Sequence, residues 1–205
     1  MLQPSTIKRR LETFLNEFKR LRKNWDELND ECLTLANSFF NTKLQEQNAD
    51  YPEYWIEEFE EFLNLKENYE KKMSKKVTEL WNSLKLIFDK MIAQYTKMKI
   101  QILQMESLLE ESCESLGEEF TYDTSLYLTC PLEIFVNRSI TIFEMYTKEL
   151  DLKQKIILTN NEIVVDREKA MIILSSWINQ PFIDDWAIKE FENICDVEIG
   201  NKFDK

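Results

Sequence analysis

The sequence predicts an all-α fold: a long antiparallel, coiled-coil-like helical hairpin followed by a small C-terminal helical cluster. Three observations predict it. The 205 residues include only two glycines and four prolines, so positive-φ turns and helix breaks are scarce. Charged residues make up 31% of the chain, many of them Glu and Lys in the periodic stretches typical of helix bundles. Apolar residues recur at helical spacing along most of the length.

The first helix opens after Pro4 and runs to about residue 47. Its apolar residues are Ile7, Leu11, Phe14, Phe18, Leu21, Trp25, Leu28, Cys32, Leu35 and Phe39, with steps that alternate between 4 and 3. A repeat close to 3.5 keeps one seam turned toward a partner helix in a left-handed supercoil. Asp50, Pro52 and Glu53 form a helix-start pattern: a capping carboxylate, a first-turn proline and a reciprocal glutamate. The second helix is expected from there through Trp55, Phe59, Phe62, Leu65 and Tyr69 to Leu109, with a stutter or break near 66–77, where the spacing drifts.

From 116 to 131 the pattern lapses, and Gly117 with Thr121, Thr124, Ser125 and Thr129 marks a hinge. Pro131 starts a third helix that reaches about Thr159 and stops at Asn160-Asn161. Asp166 caps a short fourth helix through Met171, Leu174, Trp177 and Ile178 that Pro181 ends. Asp184 caps a fifth, carrying Ile188, Phe191 and Ile194. The expected organisation is a hairpin over 5–115, a hinge over 116–131, a three-helix segment over 132–196 and a flexible tail over 197–205. Helices three to five should gather around residues 90–115, leaving the hairpin tip to project away from them.

The net charge of -12 and a pI near 4.7 argue against direct nucleic-acid binding and against an anionic membrane surface. A local basic stretch, residues 8–23, reads as a solvated helix face. Cys32, Cys113, Cys130 and Cys195 lack the paired spacing of a zinc or redox site and read as free thiols. No leader pattern and no apolar run of about 18 residues is evident, which places the chain in the cytosol or nucleus. There is no histidine, which removes Ser-His-Asp, Cys-His and His-metal arrangements together, and no phosphate-cradling glycine motif occurs. No catalytic residue, metal ligand, cofactor or small-molecule substrate is assigned. The acidic run Glu57, Glu58, Glu60 and Glu61 fans around a helix axis and lacks calcium-loop spacing.

A second apolar stripe, Leu33, Ala36, Phe40 and Leu44, lies beside the heptad seam near the end of the first helix. With no internal helix expected over the tip, these four are the candidate partner-binding residues.

Three segments carry a family resemblance: the stretch that opens Trp25-Asp-Glu-Leu-Asn-Asp and continues to Leu44, Glu144-Met-Tyr-Thr-Lys-Glu-Leu-Asp-Leu-Lys153, and Trp177-Ile-Asn-Gln-Pro-Phe182. Together they resemble the cyclin-dependent kinase 2-interacting protein (CINP) family. The resemblance covers the first helix and residues 126–195, whereas 46–115 match only in helical character. It implies a nuclear, non-enzymatic adaptor linking cyclin-dependent kinase complexes, replication or checkpoint factors and AAA-type ATPase assemblies to DNA replication, genome maintenance and ribosome maturation. It supplies no catalytic residues. By physical reading alone, Trp177 plugs the core, and Glu144, Lys148, Glu149 and Lys153 form i,i+4 pairs on an exposed face. The chain has no Ser-Pro or Thr-Pro dipeptide, so it reads as a kinase partner rather than a proline-directed substrate. A structural coiled-coil tether of another complex is the alternative. A tether needs only the seam, whereas an adaptor needs a further face.

Overall fold

The computed structural model describes residues 3–49, 51, 55, 62, 64–158 and 167–200. About 88% of these are helical, with no strand among them. The elements are α1 (Pro4–Asn48), α2 (Leu65–Leu116), a π-helical turn (Glu119–Asp123), α3 (Leu132–Leu158), α4 (Arg167–Asn179) and α5 (Asp185–Ile199). The stop at Asn160-Asn161, the cap at Asp166 and the start pattern at Asp50, Pro52 and Glu53 lie outside the described residues.

The seam of α1 is core. Ile7, Leu11, Phe18, Leu21, Trp25, Cys32 and Phe39 are each at most 2% exposed, while Phe14, Leu28 and Leu35 are half-buried. The second helix differs from expectation in two ways. It begins at Leu65, so Trp55 and Phe62 lie outside it. Asn64 sits in the left-handed region at φ 66, a conformation that a short polar side chain tolerates but a helix interior does not. The helix is also unbroken through 66–77. That stretch holds no glycine or proline, and i,i+4 pairs Lys66–Glu70 (3.7 Å), Lys71–Glu67 (2.6 Å) and Lys75–Glu79 (3.8 Å) line it.

The helices pack into two compact units, each assembled from separate stretches of chain. One takes residues up to 26, 92–150 and those from 181 onward; the other takes 27–91 and 151–180. The expected division ran along the sequence, whereas the units run across it. The segment expected to project as a free tip therefore shares its unit with the end of α3 and with α4.

In the first unit, α1 and α2 run antiparallel: Arg10 grips Glu111 with a two-pronged ion pair at 2.6 and 3.0 Å, and Glu17 feels the charge of Lys97. The order of contacts places α3 alongside α1 in the same direction. Tyr127, just before α3, donates its hydroxyl to the Lys8 carbonyl (3.0 Å), and Tyr146 meets Trp25 edge-on at 5.5 Å. Helix α5 returns antiparallel to α3, with the Phe182 amide on Glu149 (3.4 Å), Glu190 on Arg138 (3.4 Å) and Glu198 against residues 128–130. Arg22, only 4% exposed, joins α1 to α5 through Glu192 at 2.7 Å. Asp184 caps α5 as expected, accepting from the Trp186 and Ala187 amides.

The connection between α2 and α3 carries several hydrogen bonds. Gly117 closes α2 at φ 92, its amide on the Cys113 carbonyl, as a left-handed cap requires. Thr121 is buried; its hydroxyl donates to the Gly117 carbonyl (3.0 Å), which leaves its oxygen to accept from the Ser112 hydroxyl (3.2 Å). Glu198 accepts the amides of Leu128 (2.9 Å), Thr129 (3.0 Å) and Cys130 (3.3 Å) together with the Thr129 hydroxyl. Of the segment expected as a tail, residues 197–199 are helical and Glu198 is buried, while 201–205 lie outside the described residues.

In the second unit, Trp177 is 1% exposed. Lys153 reaches it from α3, with Nζ 4.6 Å from the ring centre and donating to the Trp177 carbonyl at 3.2 Å. Phe88 stands 6.5 Å away edge-on, and Phe39 contacts Trp81 at 5.3 Å. The thiol of Cys32 is fully enclosed there, and burial pushes its pKa up to about 12.

Two outcomes follow. Trp177→Ala should destabilise the protein by about 3–5 kcal/mol, the usual cost of emptying a packed aromatic site, read by urea denaturation. For Glu198, burial alone would raise the pKa, but the Thr129 hydroxyl and three amides outweigh it and hold the carboxyl at about 2. A depressed folded-state pKa contributes stability above the ordinary carboxylate range that is lost on acidification. Glu198→Gln should therefore be less stable than the parent at neutral pH, and the gap should close between pH 4.5 and about 2. A gap independent of pH in urea titrations would refute the clamp.

Candidate functional site

Two of the four residues of the α1 stripe are interior. Ala36 is 2% and Phe40 5% exposed, with Phe40 packed edge-on against Phe39 at 5.5 Å. Leu33 and Leu44 are half-buried. The stripe shares its unit with residues 151–180, which include the end of α3 and α4.

The segment Glu144–Lys153 also departs from its reading as an exposed face. Glu149 and Lys153 are fully buried; Glu149 holds the Phe182 amide in the first unit, and Lys153 holds Trp177 in the second. Two of the three resemblance segments therefore brace one another. Gln180, at φ 40, and Pro181 make the sharp turn that follows Trp177.

Among the residues this segment presents outward, Glu144 and Lys148 border a groove. It lies in the first unit between α2 and α3, encloses about 350 Å³ and is lined by Lys99, Ile102, Leu103 and Glu106 on α2 and by Ile140, Phe143, Glu144, Thr147 and Lys148 on α3. Steps of three and four residues set these side chains on the facing sides of two antiparallel helices. Ile102 forms the deep floor at 5% exposure, while Leu103 stands 54% exposed on the wall.

Beneath one end, Tyr95 stacks on Phe143 with centroids 5.0 Å apart and planes 19° from parallel. The Thr147 hydroxyl donates to the Phe143 carbonyl at 3.1 Å, which leaves its oxygen to accept from Tyr95 at 3.2 Å. That network ties Tyr95, Phe143 and Thr147 together at the floor. Among the described residues, Lys99, Glu106, Glu144 and Lys148 have no ion-pair or hydrogen-bond partner. The rim thus offers two charges of each sign around an apolar floor.

Sequence reasoning missed the groove because its residues come from two separate helices, α2 and α3, and spacing within one helix does not show which helix lies beside it. A second apolar surface lies on α4 in the other unit, where Met171, Ile172 and Ile178 are 62%, 66% and 50% exposed. A cavity of about 620 Å³ in that unit is lined by Gln45, Asn48, Ala49, Trp55, Phe62, Leu65 and Tyr69. No group of three His, Cys, Asp or Glu side chains among the described residues could hold a metal ion, and no described helix is long and apolar enough to cross a membrane.

By class, the described residues form an all-helical protein with a charge-rimmed apolar groove. Its likeness to the cyclin-dependent kinase 2-interacting protein family extends along nearly the whole chain. It is 27% identical over 205 residues to the human protein of that name, covering 97% of this chain and 92% of the relative. The mouse protein is 27% identical over 208 residues with the same coverage, and the Xenopus laevis protein 25% identical over 187, covering 88% and 83%. No family model matches the chain. The relatives are named for an interaction rather than for a reaction.

Leu33→Glu combined with Phe40→Glu should lower the thermal midpoint by many degrees, since it buries charge in the second unit. Leu103→Glu, on the groove wall, should leave it nearly unchanged. Thermal circular dichroism of the two variants checks the contrast.

Proposed function

We propose that this chain is a non-enzymatic adaptor of the cyclin-dependent kinase 2-interacting protein family, and that it docks a cyclin-dependent kinase complex through its own exposed helical faces. The single observation that carries this reading is the pairing of a family likeness along the whole chain with a resemblance segment, Glu144–Lys153, whose exposed charges border the α2–α3 groove. The buried half of that segment supports the fold; the outward half is left to meet another protein.

The wider partner set belongs to the same proposal: replication or checkpoint factors and AAA-type ATPase assemblies, in the nucleus, serving DNA replication, genome maintenance and ribosome maturation. Of the α1 stripe, Leu33 and Leu44 are the residues with accessible surface that such a partner would touch. The tether alternative is less favoured because a spacer needs no charge-rimmed groove.

Purified chain mixed at micromolar concentration with purified cyclin-dependent kinase 2 and its cyclin should form a complex that co-elutes in size-exclusion chromatography. Separate elution of the two at that concentration would count against the kinase reading.

A further inference from the structure

We propose that the α2–α3 groove takes one amphipathic helix of a partner protein, with apolar anchors on the floor, acidic residues against Lys99 and Lys148, and basic residues against Glu106 and Glu144. The proposal rests on the reading of the chain as an interaction protein and specifies the chemistry of what it binds.

The shape comes first. The groove is bounded by two antiparallel helices, and the furrow between such helices is filled by the ridge of side chains on a third. Ile102, Ile140 and Phe143 form its floor and Leu103 its wall, so a bound helix would set anchors at i, i+4 and i+7 along it. The Tyr95–Phe143 stack and the Tyr95–Thr147 hydrogen bond hold the floor in shape before anything binds, and preorganisation of this kind lowers the cost of association.

The charges then select the occupant. Tyr95 lies level with Phe143 and Thr147, so Lys148 marks one end of the groove and Glu106, eleven residues beyond Tyr95 on α2, marks the other. Lys99, Glu144 and Lys148 are exposed and Glu106 half-buried, and none has a partner among the described residues. A phosphate backbone would be repelled by the two carboxylates and a polyacidic tail would leave them unmatched. A helix with both signs on its flanks matches all four, and complementary charge sets orientation and partner choice more than bare affinity.

The test uses the full chain and three fluorescein-labelled helical peptides of about 18 residues, a length that spans the groove. Each carries leucine at i, i+4, i+7 and i+11; one has Glu flanking one end and Lys the other, one has only Lys and one only Glu. By fluorescence anisotropy the mixed-charge peptide should bind at least about tenfold more tightly than either single-sign peptide. Leu103→Glu should weaken it by about tenfold or more, and Lys99→Glu with Lys148→Glu should shift the preference to the all-Lys peptide. These positions are exposed, and unchanged melting curves will confirm that the variants are folded.

Equal binding of all three peptides, binding of none, or no effect of Leu103→Glu would overturn the proposal. If the chain sediments as a dimer that Leu103→Glu dissociates, the occupant is a second copy and the proposal falls in the same way. A chain that binds the mixed peptide but no kinase refutes the kinase reading and leaves the groove intact. Kinase binding without peptide binding does the reverse.

Discussion

The 3.5-residue seam of α1 is the constraint on which the rest of the structure depends. From Ile7 to Trp25 it supplies the floor of the first unit, and from Cys32 to Phe39 the floor of the second. Only a continuous helix keeps one side chain of every turn on the same line over that distance. Because the line is made of Phe and Trp as well as Leu, two helices alone would leave it wet. The first unit meets this by enclosing Trp25 with Tyr146, and the second by laying Phe39 against Trp81.

How much could be read beforehand depended on how local the cause was. The starts of α3 and α5 follow from Pro131 and Asp184, residues whose effect reaches only one turn, and the structure has helices that begin at Leu132 and at Asp185. The α1 seam was legible for the same reason, since helical spacing is a property of adjacent turns. The burial of Lys153 and Glu149 was not legible. A Lys and a Glu four residues apart look like a solvated pair, and what removes them from water is Trp177 for one and the Phe182 amide for the other. Nor could spacing show that Asn64 would adopt φ 66 and delay α2.

The groove belongs to the second kind. Its residues come from two helices, α2 and α3, so no window of sequence contains it. The resemblance segment pointed to the right stretch of α3 but blurred two roles that the structure separates by face. Tyr146, Glu149 and Leu150 are turned inward and hold the fold, while Glu144 and Lys148 are turned to solvent. In a chain with a formal charge of -12, a rim of balanced charge gives the groove a character distinct from the acidic surface at large.

Each unit is closed by stretches that are distant in the chain, and this has a practical side. The residues up to 26 meet those from 181 onward, and 27–91 meet 151–180. A cut anywhere between 27 and 180 divides both units at once, so truncated pieces of this protein are not smaller versions of it. Mapping a partner by serial deletion would therefore report the loss of the fold at nearly every boundary tried, and binding determinants here are accessible to point substitution on an intact chain.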